Sequence, residues 1–83
     1  MRRDPEFFGE QELDLLYIGK KLKHALAVEA LLEGARIDYA VETETYVGGM
    51  IFRTERVGAF LYVLPGDLER ARETIRAAGF EPA

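Results

Sequence analysis

The 83-residue chain contains no cysteine, no serine and no tryptophan, and histidine occurs once. Without cysteine there is no disulfide scaffold, no zinc–thiolate site and no thiol nucleophile. Without serine as well, and with one imidazole, the usual nucleophile–base pairs are excluded, and only carboxylate chemistry stays formally open. A multi-histidine metal site is excluded too. Long apolar runs are missing. Nothing approaches the roughly 18 residues needed to cross a bilayer, and the longest uncharged stretch, Val57 to Gly66, is interrupted by glycine and Pro65. Arg2-Arg3 is not followed by an apolar segment, so no signal peptide is expected and a cytoplasmic protein is the default. Excess positive charge is also lacking. Eleven basic against fifteen acidic residues give a net charge of −4, which argues against general affinity for nucleic acid.

What is present is ordinary globular material, 48% hydrophobic and 31% charged. A chain of this size forms one domain and buries roughly 60–65% of its unfolded surface. Residues 1–12 read as a flexible tail, with Phe7-Phe8 as its two holding points, and residues 13–83 as the domain. Leu13 to Ile18, ending at Gly19, reads as a strand buried on both faces. Leu22 to Glu33 reads as a helix, with Val28, Leu31, Leu32 and Ala35 on its inner side, Ala25 at the edge, and Glu29 and Glu33 opposite. Ile37, Tyr39, Val41 and Thr43 alternate with Asp38, Ala40, Glu42 and Glu44, the pattern of a half-buried strand. Gly58 to Leu64 is apolar on both faces and reads as a central strand. Pro65-Gly66-Asp67 is a turn with an N-cap. In the helix that follows, Leu68, Ala71, Ile75 and Ala78 share one face, and Gly79 closes it with Phe80 folding back. Phe80 to Ala83 could add a short edge strand. The order predicts an α+β, ferredoxin-like split βαβ sandwich, an antiparallel sheet with both helices on one face.

Along about Leu15 to Ile75 the chain resembles a family of small bacterial proteins described as prokaryotic signal transducing proteins. The resemblance is carried by Ala25, by Leu31-Leu32-Glu33 running into Ile37, by Gly48-Gly49, and by Val63-Leu64-Pro65 leading into Leu68-Glu69-Arg70-Ala71-Arg72. It implies a ferredoxin-like sheet related in outline to the nitrogen-regulatory PII proteins, and a sensing role. It supplies no catalytic residues. The family tends to carry glycine before the isoleucine that opens the second strand, where this chain has Arg36. A left-handed residue there costs roughly 1 kcal/mol without glycine, so the first helix is expected to exit differently, through Gly34.

Four groups of residues are candidates for chemistry. His24 falls by helical phase beside Val28 and Leu31 and reads as a packed or half-buried structural histidine, since no base partner lies nearby. Lys20, Lys21 and Lys23 cluster at a helix start, which can hold anions, but no phosphate-binding glycine motif accompanies them, so they read as solvated. Glu42 and Glu44 could hold a cation; the alternative is the polar face of a strand, or partners for Arg53 and Arg56 across a hairpin. The stretch from Tyr46 to Arg56 stands out. Tyr46, Val47, Met50, Ile51 and Phe52 surround Gly48-Gly49, and Arg53 and Arg56 follow. So many apolar side chains around a glycine pair mark a partner or ligand surface, unless they fold back over the sheet or pair with a second copy.

The expected function is a non-enzymatic regulatory or protein-interaction module, acting through the sheet face and the 45–57 loop, with no metal or cofactor. The alternative is a PII-like sensor holding a small anionic ligand or nucleotide at an oligomer interface, with Arg53, Arg56 or Lys21 on it. Tyr39, Phe60, Tyr62 and Leu64 cannot all face the helices, so a homo-oligomer, dimer or trimer, is expected to cover the remainder.

Overall fold

The computed structural model describes residues 1–48 and 54–83. The chain runs β1 (Asp14–Gly19), α1 (Leu22–Gly34), β2 (Tyr39–Gly48), β3 (Thr54–Val63) and α2 (Leu68–Ala77), with 3-10 turns at Pro5–Phe8 and Pro65–Asp67. Strand order is β1-β3-β2, antiparallel throughout, so β3 is central as its two-sided apolarity predicts. This is an α+β architecture. The expected fourth strand does not form: Phe80 to Ala83 lies beside β1 with one ladder-like bond, Ala83 N–H donating to Leu16 O at 2.7 Å. Pro82 has no N–H to give that ladder.

Alternation along the strands sets the two faces of the sheet. Leu61 and Val63 of β3 are buried with Tyr17 and Tyr39 from its neighbours, and with Val28 and Leu32 of α1 and Ala71 and Ile75 of α2. One cluster thus holds both helices against one face. A register shift between Leu15 and Tyr17 lets consecutive Leu16 and Tyr17 both be buried. The approach of β1 to α1 is close. A Cβ built on Gly19 would lie 2.9 Å from Ala25 Cβ, so only glycine fits there.

Both helices end in the same motif. After α2, Gly79 takes φ +90°, its N–H donates to Arg76 O at 2.9 Å, and Phe80 N–H donates to Ile75 O at 3.0 Å. After α1, Arg36 N–H donates to Glu33 O at 3.1 Å and Ile37 N–H to Leu32 O at 3.0 Å. The residue with positive φ is Arg36, at 57°, whereas Gly34 remains inside the helix. The expected exit through Gly34 is therefore incorrect. Leu32 and Ile37, both fully buried, fix the chain direction, and that apolar contact outweighs the left-handed strain.

Three local expectations are also corrected. Asp67 precedes α2 but makes no side-chain cap bond, and its Oδ1 sits 3.6 Å from Arg70 instead. Ala78 is exposed. Strands β2 and β3 run further than their alternation suggests, pairing down to Gly48 opposite Thr54.

Residues 1–12 carry definite contacts. Arg2 bridges in parallel to Tyr39 at the outer edge of β2, with Arg3 N–H donating to Tyr39 O at 2.8 Å and Tyr39 N–H to Met1 O at 3.0 Å. Phe8 is buried and Phe7 largely exposed, their rings edge-on at 5.1 Å, with the Arg3 guanidinium 4.5 Å from the Phe7 ring centre. Because Arg2 joins one edge of the sheet and Asp14 opens the strand at the other, the segment between them traverses the width of the sheet.

Candidate functional site

Register assigns the second face of the sheet to Leu15, Ile18, Ala40, Glu42, Phe60 and Tyr62, none of which belongs to the helix-side cluster. Ala40 is buried, Leu15, Phe60 and Tyr62 are half-buried, and Ile18 is 39% exposed. Among the described residues both helices pack on the other face. A shallow hollow of about 360 Å³ opens on the second face, lined by Leu13, Ala40, Val41, Glu42 and Tyr62. A second, of about 540 Å³, is lined by Gln11, Glu12, Leu64, Pro65, Gly66 and Asp67. Among the described residues the lining of each includes a carboxylate, Glu42 in the first and Glu12 and Asp67 in the second.

The hairpin extends beyond this face. β1 reaches only as far as Ala59 on β3, whereas β2 and β3 continue as a two-stranded ribbon for five further rungs, from Glu44–Gly58 to Gly48–Thr54. Tyr46, Val47 and Gly48 thus belong to β2 and Arg56 to β3, with Tyr46 opposite Arg56 and Val47 opposite Glu55. Gly48 is a paired strand residue, not part of the turn. The candidates Gly49, Met50, Ile51, Phe52 and Arg53 lie outside the described residues. Glu42 is opposite Phe60 and Glu44 opposite Gly58, so neither directly faces an arginine across the hairpin.

His24 is exposed, contrary to the expected half-buried position, with its ring 6.0 Å from that of Phe80. Leu22 and Leu26 of α1 are likewise 75% and 53% exposed. Lys20, Lys21 and Lys23 are exposed, as solvated lysines should be. Among the described residues no group of three or more metal-ligating side chains comes together. No helix there is long and apolar enough to cross a membrane.

One polar cluster has no counterpart in the sequence reading. Tyr39 is 2% exposed, and its hydroxyl lies 3.1 Å from Glu29 Oε1 and 3.2 Å from Glu33 Oε1, donating towards both. Glu33 also accepts the backbone N–H of Arg2 at 2.9 Å, and the Arg2 guanidinium approaches Glu29 at 3.6 Å. Arg3 Nε completes the set, donating to Asp38 Oδ1 at 3.1 Å. The Arg2 N–H holds the Glu33 carboxyl below the usual carboxylate range, helped by the Tyr39 hydroxyl. Burial first, and the Glu29 charge second, push the Tyr39 phenol well above its ordinary value. Glu29 and Glu33 at i and i+4 were a readable pair, but nothing in the sequence ties them to Arg2, 31 residues from Glu33. Comparison with protein-family models, with curated proteins and with solved structures finds no match to this chain.

Proposed function

We propose that the protein is a small, non-enzymatic interaction module of ferredoxin-like type, working in the cytoplasm and acting by protein contact through the sheet face turned away from the helices and the adjoining β2–β3 ribbon. The observation that carries this reading is the apolar second face of the sheet, turned away from both helices, where Leu15 and Phe60 stay half-buried and Ile18 is 39% exposed. Half-exposed aromatic and aliphatic side chains in one patch favour protein contact over bulk solvent. A second copy is the simplest occupant, consistent with the expected homo-oligomer. A regulatory role in signalling rests on the family resemblance alone.

Site-specific photo-crosslinking tests the reading. A photoreactive phenylalanine at position 60 should crosslink in cells to a second copy or to a discrete partner, while the same group at Arg76, exposed on α2, should not. Equal crosslinking from both positions, or none from 60, would remove the sheet face as the working surface.

A further inference from the structure

We infer that the outer edge of β2, together with Glu29, Glu33 and Asp38, is a receptor for an extended strand carrying two consecutive arginines, supplied by a partner protein and held in this structure by the chain's own residues 1–3. This site lies at the start of β2, at the opposite end of the strand from the ribbon, and does not rest on the function proposed above.

The recognition chemistry is visible in the occupant. Met1 and Arg3 pair with both backbone groups of Tyr39, the Arg2 guanidinium reaches Glu29 while its backbone N–H donates to Glu33, and Arg3 Nε donates to Asp38. A strand added to an edge draws affinity from main-chain bonds and specificity from its alternating side chains. The acidic wall is built to stay in place, because the buried Tyr39 hydroxyl bonds Glu29 and Glu33 from beneath.

The resident segment uses this edge poorly. It pairs at Tyr39 alone and then turns away through Pro5–Phe8. Since both Tyr39 backbone groups face outwards, those of Val41 and Thr43 do too by the two-residue period, and among the described residues no strand pairs with them. The arm's cations remain open to water, Arg2 at 59% and Arg3 at 36% exposure, so solvent screens their pairing with Glu29 and Asp38. A partner strand running parallel to β2 keeps the arginine contacts and adds rungs at Val41 and Thr43. It therefore outcompetes a tethered segment that stops after one rung, in spite of the tether's high effective concentration.

The test uses the full chain and a fluorescent peptide, Met-Arg-Arg-Val-Thr-Val-Thr, read by anisotropy and by amide shifts. The peptide should bind the wild-type chain and shift Val41 and Thr43. Weakening the resident arm with Arg2→Ser and Arg3→Ser should tighten binding about tenfold or more by removing the competitor. Glu29→Gln with Glu33→Gln should weaken it about tenfold, as loss of the charge partners requires. Asp38→Asn, which removes the partner of Arg3 and not an acceptor of the Tyr39 hydroxyl, gives an independent loss should that double variant not fold. A Met-Glu-Glu peptide binding equally well, unchanged affinity on weakening the arm, or shifts confined to β1 would overturn the assignment. So would a wild-type dimer held by exchanged arms, which would make a second copy the occupant.

Discussion

Arg36 and Gly79 occupy equivalent positions in two copies of one helix-ending motif, with φ of 57° and 90°. The glycine adopts this conformation freely, while the arginine pays for its Cβ. Arg36→Gly should accordingly stabilise the protein by about 1 kcal/mol, raising the thermal midpoint by roughly 4–8 °C in a domain of this size. Gly79→Arg should reverse the sign. Calorimetry of the two variants checks both halves; equal midpoints for wild type and Arg36→Gly would show that the left-handed turn carries no strain.

Gly19 marks a close approach of sheet and helix, with 2.9 Å between a built Cβ and Ala25 Cβ. Gly19→Ala should destabilise by about 1–3 kcal/mol, the usual range for overpacking, measured by urea unfolding. By contrast, Leu22→Gln and Leu26→Gln, at positions 75% and 53% exposed, should change stability by no more than about 0.5 kcal/mol.

The Tyr39 hydroxyl is protonated in the fold and its phenolate is disfavoured, so it adds stability that is complete below the ordinary tyrosine pKa of about 10 and fades as pH rises above that. In an alkaline spectrophotometric titration, Tyr39 should ionise together with unfolding. Tyr39→Phe should remove that coupling and cost about 1–2 kcal/mol at neutral pH.

Glu33 has the opposite sign. Its carboxylate is favoured in the fold, so its contribution is complete at neutral pH and is lost as pH falls below the ordinary carboxylate range. The bond from Arg2 N–H to Glu33 should weaken on acidification before the core does. Amide exchange at Arg2 and Arg3, followed against pH, should accelerate in acid while Leu61 stays protected; acid-insensitive exchange at Arg2 would rule out this coupling.

These relationships were unevenly legible in the sequence. β3 could be read as central because Phe60, Leu61, Tyr62 and Val63 leave it no polar face, and α2 because its apolar residues recur at helical spacing. Arg36 misled, since a local rule assigns left-handed turns to glycine while the decision belonged to the buried Leu32–Ile37 contact. His24 misled because its helical phase beside Val28 does not by itself bury it, and it is exposed against the Phe80 ring. The face of the sheet was legible as a surplus of large apolar residues. The Tyr39 cluster was not, because it joins Arg2, Glu29, Glu33 and Asp38 across a sheet edge whose existence only the folded topology reveals.

The unequal lengths of β1 and the β2–β3 hairpin divide the sheet into two mechanical regimes. Up to Ala59 each rung of β3 is held from both sides, whereas from Gly58 to Thr54 it is held from one. A two-stranded ribbon is marginal in water by itself. Opening of the outer rungs is thus separable from global unfolding, and the boundary between the regimes lies at one residue. Amide exchange along Glu44–Gly48 and Thr54–Gly58 can therefore proceed by local opening while the three-stranded body stays intact.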